Sequence, residues 1–351
     1  MAEVSLGPGP YTYVCTRMRV RKAKLLPRED YLRMLNMSLP EITRFIEETE
    51  YKAEIDELSP SFSGIDLVEV ALSWNLAKEY QKILEITPGA LHQFMQSYLR
   101  RWDIQNFLTI LRGKQQGVSA GRIKEVLIPA GKLNRAFLDR LLAEDSVERI
   151  ADAMKGKRLY PVLERELPGA LETGSFAQLE NELYKGFYNE LLIDAKSGVK
   201  GGFAFLAYIR LEIDFMNVQN LFRLRSGTVE GDIRTLMIPG GSFSIDELQR
   251  IAAIENAGDF IDAVQKKGGL QSVTGLLEDI RNHRPIHEIE IELTRIMLAE
   301  MERLSKRYPF SICPVLVYLE KKKYEVQNLR SLARGKEAHL PTERIQSYLV
   351  V

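Results

Sequence analysis

Apolar positions along this chain recur every three or four residues, the spacing of one helix face, and no credible run alternates as a strand would. Ile209, Ile213, Met216, Asn220 and Leu224 fall on one such face, and Leu99, Trp102, Asn106 and Ile110 on another. A third run includes Tyr324, Asn328 and Leu332, with Lys321 interrupting it. In each case an asparagine lies among apolar side chains, where its amide must find partners inside the protein. The asparagines belong to a signature that occurs three times. It reads Asp103-Ile104-Gln105-Asn106-Phe107, Asn217-Val218-Gln219-Asn220-Leu221 and Glu325-Val326-Gln327-Asn328-Leu329. The copies start 114 and 108 residues apart (217 − 103 and 325 − 217). A glycine stands seven positions after each asparagine: Gly113, Gly227 and Gly335. Glycine takes the left-handed cap conformation cheaply, so the pattern predicts a helix C-terminus at each. The amides of Asn106, Asn220 and Asn328 are expected to be buried and bonded to backbone, organising the interior rather than holding a ligand.

Two further anchors recur in the same order. Upstream lie Val68-Glu69-Val70-Ala71-Leu72, Leu179-Glu180-Asn181-Glu182-Leu183 and Ile289-Glu290-Ile291-Glu292-Leu293, with 34, 37 and 35 residues from glutamate to signature (103 − 69, 217 − 180, 325 − 290). Thr87-Pro88-Gly89, the glycine-rich Ser197 to Gly202 stretch and Tyr308-Pro309 punctuate these intervals, so each reads as helix, turn, helix. Two helices joined so tightly form an antiparallel hairpin. Downstream come Ile123-x-x-x-Leu127-Ile128, Ile233-x-x-x-Met237-Ile238 and Ile345-x-x-x-Leu349-Val350. The glycine-to-final-apolar distances of 15, 11 and 15 (128 − 113, 238 − 227, 350 − 335) predict a connection four residues shorter in the middle copy. Helices restart at Leu133-Asn134 and Phe243-Ser244, where Asn134 and Ser244 suit the N-cap, and at Pro27, which suits a first turn. The register divides the chain into three helical units, 1–130, 131–238 and 239–351, and the fold class is all-α. Residues 1–10, with Gly7-Pro8-Gly9-Pro10, read as a loose arm, and a helix is expected from about Tyr11 to Leu25-Leu26.

Charge narrows the function classes. The 48 basic and 48 acidic residues cancel, and they nearly cancel within each unit, so no unit has the concentrated positive charge of a nucleic-acid binder. The tightest basic cluster is Arg17, Arg19, Arg21, Lys22 and Lys24, which reads as a solvated helix face. Cys15 and Cys313 form no motif, which points to a reducing compartment. The longest apolar run, Gly201 to Ile209, is too short to span a bilayer, and the N-terminus lacks the layout of a secretory signal. Membrane association is therefore expected through partners only.

Little catalytic chemistry is legible. Gly113-Lys114, Gly131-Lys132, Gly156-Lys157 and Gly335-Lys336 all lack the upstream glycine of a phosphate-binding loop. His283 and His287 have the spacing of two metal ligands, with Glu288 adjacent, but Pro285 between them breaks the helix that would present both. No catalytic residue, cofactor or metal ligand is assigned, and a structural or coupling role is expected.

Tyr11-x-Tyr13-x-x-x-Arg17-x-Arg19, the following Leu25-Leu26 and the three Gln-Asn-x6-Gly units resemble the C subunits of archaeal/vacuolar-type rotary ATP synthases, a family related to the d subunit of the vacuolar proton pump. Pro27 departs from the serine-like cap usual there. The resemblance spans essentially the whole chain. It implies three similar helical domains in a pseudo-threefold funnel, without catalytic activity. It also implies a place in the central stalk on the cytoplasmic side of the membrane, between the coiled-coil D-type and F-type shaft subunits and the proteolipid ring. A generic helical adaptor and a metal-dependent hydrolase using His283 and His287 are the competing readings.

Overall fold

The computed structural model describes residues 11–229, 231–267, 273, 275–276 and 284–351. Among these, every regular element is a helix, from Thr12–Lys22 to Thr342–Gln346. Residues 1–10 and His283 lie outside the described residues, so the arm and the His283–His287 pair are left as sequence expectations; His287 itself stacks on Tyr348 with ring centroids 5.1 Å apart.

The chain divides into two compact units. One comprises residues 1–42, 86–94 and 191–351; the other comprises 43–85 and 95–190. In the first, the helix Cys313–Glu337 is the central post, with Ile286–Arg307 and the N-terminal helix Thr12–Lys22 packed on it. Its long buried stretch, Cys313 to Glu320, is apolar on nearly every side because neighbours cover nearly every side. The helix Gly202–Arg225, likewise buried on most of its sides, packs on Ile286–Arg307, which buries chiefly the stripe Ile289, Leu293, Ile296 and Met301. In the second unit, Arg101–Gln115 is the post, and Ala120–Val126, Arg135–Ala143 and Val147–Ala153 pack on it. The turns fall where proline and glycine forecast them, between Ile86 and Gly89, Lys196 and Gly202, and Arg307 and Cys313.

Helix starts follow their capping residues. Asn134 accepts from Phe137 N–H at 3.0 Å, and Ser244 forms a reciprocal box with Glu247. The first helix is shorter than expected: it stops at Lys22, and Lys24 and Leu25 make tight turn bonds back to Arg21 and Lys22.

The three post-like helices share one ending. Gly117, Gly227 and His339 each take the left-handed conformation directly after the cap residue, at φ 69°, 70° and 52°. The next residues, Val118, Thr228 and Leu340, donate back to Gly113, Arg223 and Gly335 at 2.8, 3.0 and 2.9 Å, closing the 6→1 bond of a Schellman cap. Gly227 thus does what the sequence forecast. Gly113 and Gly335 do not: both are inside their helices, two residues before the end. Their reason is space. A Cβ would lie 2.5 Å from Ile123 Cδ1 at Gly113 and 2.6 Å from Ile345 Cγ1 at Gly335, so the absent side chain seats the following short helix.

His339 is the one positive-φ residue other than glycine among those described. Left-handed backbone costs an L-residue about 1–2 kcal/mol, and glycine gives back part of that as unfolded-state entropy. His339→Gly is expected to stabilise the protein by about 0.5–1 kcal/mol, read as a rise in the urea midpoint at unchanged slope. A lowered midpoint would mean that the imidazole makes a compensating contact.

Candidate functional site

The side chains that recur in three dimensions are a carboxamide and a carboxylate one helical turn apart. Asn106 donates its amide to Ile128 O at 2.7 Å and accepts from Ile128 N–H at 2.8 Å. Asn328 does the same with Val350, at 2.9 and 2.8 Å. In the middle copy the matching residue is Asn217, which holds Ile238 through both backbone groups at 2.8 Å. Asn220 is half-buried and makes one bond, donating to Leu236 O at 3.1 Å. The middle copy therefore sits three residues earlier than the Gln-Asn pattern puts it.

Three residues before each asparagine is an acid that caps the next stretch of backbone. Asp103 accepts from Lys132 and Leu133 N–H at 3.0 and 2.8 Å. Asp214 accepts from Ser242 and Phe243 N–H at 2.7 and 3.5 Å. Glu325 accepts from Leu26 N–H at 2.7 Å, although the two residues are 299 apart in sequence. Leu133, Phe243 and Leu26 occupy the same place, each just before a helix restart at Asn134, Ser244 or Pro27. Asn106, Asn217 and Asn328 thus hold the end of one copy, while Asp103, Asp214 and Glu325 hold the start of the next. The third acid thus reaches, through space, the backbone just before the first restart.

This register was present in the sequence. Acid-x-x-Asn at 103–106, 214–217 and 325–328 gives intervals of 111 and 111 residues (214 − 103 and 325 − 214). It also turns the uneven upstream spacing of 34, 37 and 35 into 34, 34 and 35 (214 − 180 for the middle copy). The spans from asparagine to its backbone partner are 22, 21 and 22 residues, so the middle connection is one residue shorter rather than four. The glutamines share no role: Gln105 donates to the Tyr184 hydroxyl, Gln219 is half-buried and Gln327 is exposed.

Electrostatics separates the third junction from the other two. Burial pushes the Asp103 and Asp214 carboxyls above the ordinary aspartate range, against the opposing pull of their backbone N–H donors. A raised native pKa means the folded state holds its proton more readily than the unfolded state. Acidification through that range therefore does not weaken the fold through these two groups. Glu325 has an added partner, the buried Lys322 ammonium at 2.7 Å. Tyr31 lies beside it, its hydroxyl pushed up by burial and by the Glu325 carboxylate.

A cavity opens beside each acid. That at Asp103 has about 370 Å³, with Ile104, Leu133 and Phe187 as apolar wall and Arg100, Lys132 and Arg158 at its rim. That at Asp214 has about 530 Å³ and includes Arg210, Arg303 and Arg307. That at Glu325 has about 670 Å³ and includes Arg28, Arg295 and Lys306. Each cavity thus combines a mostly apolar lining with charged side chains, some of them already paired, as Arg100 and Arg158 are with Glu190. Among the described residues, no group of three or more His, Cys, Asp or Glu side chains is placed to hold a metal ion.

Comparison with known proteins agrees with a whole-chain kinship. The model of the family described as ATP synthase (C/AC39) subunit matches residues 14–348. A protein of Methanosarcina acetivorans, named as the C subunit of an A-type ATP synthase, is 40% identical over 348 residues, covering 98% of this chain and 94% of that one. Proteins of the same name from Methanococcoides burtonii and Archaeoglobus fulgidus are 38% identical over 344 residues and 35% identical over 346, covering 97% of this chain and 94% and 96% of theirs.

Proposed function

The chain belongs to the ATP synthase (C/AC39) subunit family, and from that premise we propose that it is a non-catalytic central-stalk subunit of an A/V-type ATP synthase. In this reading it joins the D-type and F-type rotor shaft subunits to the membrane proteolipid ring while ATP turnover is coupled to proton or sodium transport. It consists of three homologous helical domains, 1–130, 131–238 and 239–351, in a pseudo-threefold, funnel-like arrangement. It is peripheral, on the cytoplasmic side, and held to the membrane through its partners. No described helix is long and apolar enough to cross a membrane.

The observation that carries this reading is the triplicated junction. A piece that transmits torque must resist shear between its parts, and each junction here ties two backbone stretches to one rigid helix with several hydrogen bonds. The Glu325 carboxylate on Leu26 N–H supplies the link where the chain itself does not run from one copy into the next. A carboxylate on a backbone N–H is a charge-assisted bond, roughly twice as strong as a neutral one.

The test is reconstitution of the full chain with purified shaft subunits and with vesicles that contain or lack the ring. It should join the shaft at low salt, release as salt rises, and attach to ring-containing vesicles only. Failure to join the shaft at low salt, or strong attachment to ring-free vesicles, would overturn the assignment.

A further inference from the structure

The chain is neutral overall, yet three stretches that the fold brings together contain no acid. Residues 11–28, 195–211 and 303–319 carry twelve lysines and arginines and not one aspartate or glutamate. Cys15 Sγ bonds Ser311 O at 3.3 Å, Arg19 donates to Pro309 O at 2.9 Å, and Cys313 Sγ bonds Ala204 O at 3.5 Å. Where they meet, two phenylalanines face outward: Phe203 is 72% exposed and Phe310 54%. Phe203 stands edge-on to Tyr308 at 5.7 Å, Arg307 lies over the Tyr308 ring at 5.7 Å and Arg19 over the Phe310 ring at 5.4 Å. On the next exposed face of the first helix, Arg17 repeats the arrangement over Tyr13. Arg17, Arg19 and Arg307 have no carboxylate partner among the described residues; their contacts are rings, a phenol and a carbonyl.

Exposed aromatics cost solubility unless something covers them, and arginine stacked on an aromatic ring is the composition of interface hot spots. The stacking fixes each guanidinium in place at little further entropy cost, ready for an incoming carboxylate. Behind Phe203 and Tyr308 the 530 Å³ cavity offers Leu206, Ala207, Leu211 and Leu304 as an apolar seat. Its two acids, Asp214 and Glu300, are buried.

We infer that the face formed by Arg19, Phe203, Arg307, Tyr308 and Phe310 is the surface by which this chain seats on the membrane-embedded ring, receiving an apolar side chain flanked by carboxylates. This rests on the function proposed above. Of the two neighbours named there, only the ring is set among anionic lipid headgroups, whose negative surface potential repels carboxylates. A face whose exposed side chains are basic and aromatic, with Glu302 beside it already paired with Lys22 and Lys321, is the one that can approach it.

The experiment uses full-length chains carrying Arg19→Glu, or Phe203→Ser with Phe310→Ser, all exposed positions. Each is pelleted with ring-containing vesicles, with ring-free anionic vesicles, and separately assayed for binding to purified shaft subunits. Both variants should lose about tenfold or more in attachment to the ring while joining the shaft like the wild type, and attachment of the wild type should fall with salt. Undiminished ring attachment by both variants would overturn the inference with the function intact. So would loss of shaft binding with ring binding retained, or loss of both. Strong wild-type attachment to ring-free anionic vesicles would make the face a lipid site and overturn the inference together with the function. A wild type that binds neither shaft nor ring would overturn the function and this inference together.

Discussion

Asn217→Leu should destabilise the protein by about 2–6 kcal/mol, and Asn220→Leu by about 1 kcal/mol. The difference follows from what each amide holds. Asn217 is fully buried and satisfies both the N–H and the C=O of Ile238 at 2.8 Å. Leucine would leave both backbone groups buried without partners, each costing about 1–3 kcal/mol. Asn220 loses one 3.1 Å bond to Leu236 O at a half-buried position, where water can replace the amide. Asn106→Leu and Asn328→Leu should behave like Asn217→Leu, since each amide holds both groups of Ile128 or Val350. Urea denaturation of the variants side by side gives the answer. Equal losses at 217 and 220, or the larger loss at 220, would return the middle copy to the Gln-Asn register.

Gly131→Ala and Gly241→Ala should each cost about 3 kcal/mol, for a reason that has nothing to do with backbone freedom. Neither glycine takes positive φ. A Cβ at Gly131 would lie 2.5 Å from the Asp103 carboxyl carbon; one at Gly241 would meet the Asp214 carboxyl and come within 3.1 Å of Ile213 Cγ2. The carboxylate cannot swing aside, because two backbone N–H groups hold it in each junction. Displacing it breaks bonds to a charged acceptor worth about 1.5–3 kcal/mol each. In Gly131→Ala combined with Asp103→Ala the clash has nothing left to displace, so the pair should be less destabilised than the sum of its parts. Strict additivity, measured by chemical denaturation, would show that the methyl is accommodated some other way.

The sequence made some of this legible and hid the rest for definable reasons. The helical class, the three turns and the caps at Asn134 and Ser244 depend on local chemistry, and local chemistry is what periodicity and capping rules read. The register of the middle copy was misplaced because Gln219-Asn220 matches Gln105-Asn106 as letters, while the structure selects by which amide faces the returning backbone. Asn217 and Asn220 are one turn apart on the same helix face, so hydrophobic spacing alone does not separate them. The equal 111-residue interval from Asp103 to Asp214 to Glu325 does separate them. The helical glycines Gly113 and Gly335 were hidden differently: their task is to make room for Ile123 and Ile345, and a contact across some ten residues leaves no mark on either segment alone. The basic and aromatic face was invisible for a related reason. Each unit's charge cancels along the chain, and only folding sets the three basic stretches side by side.

The bond between Glu325 and Leu26 shows how little a junction of this kind depends on chain connectivity. Each copy ends in an apolar residue clasped by its own asparagine and carries the acid that clasps the start of its successor. A segment of this kind, copied head to tail, regenerates a working seam at every point of fusion without any new residue being invented. The acid of the last copy clasps the backbone of the first instead, at Leu26 N–H. The same clasp therefore serves whether the backbone it holds is the chain's own continuation or a stretch 299 residues away, so the joint does not depend on the peptide bonds that elsewhere run through it.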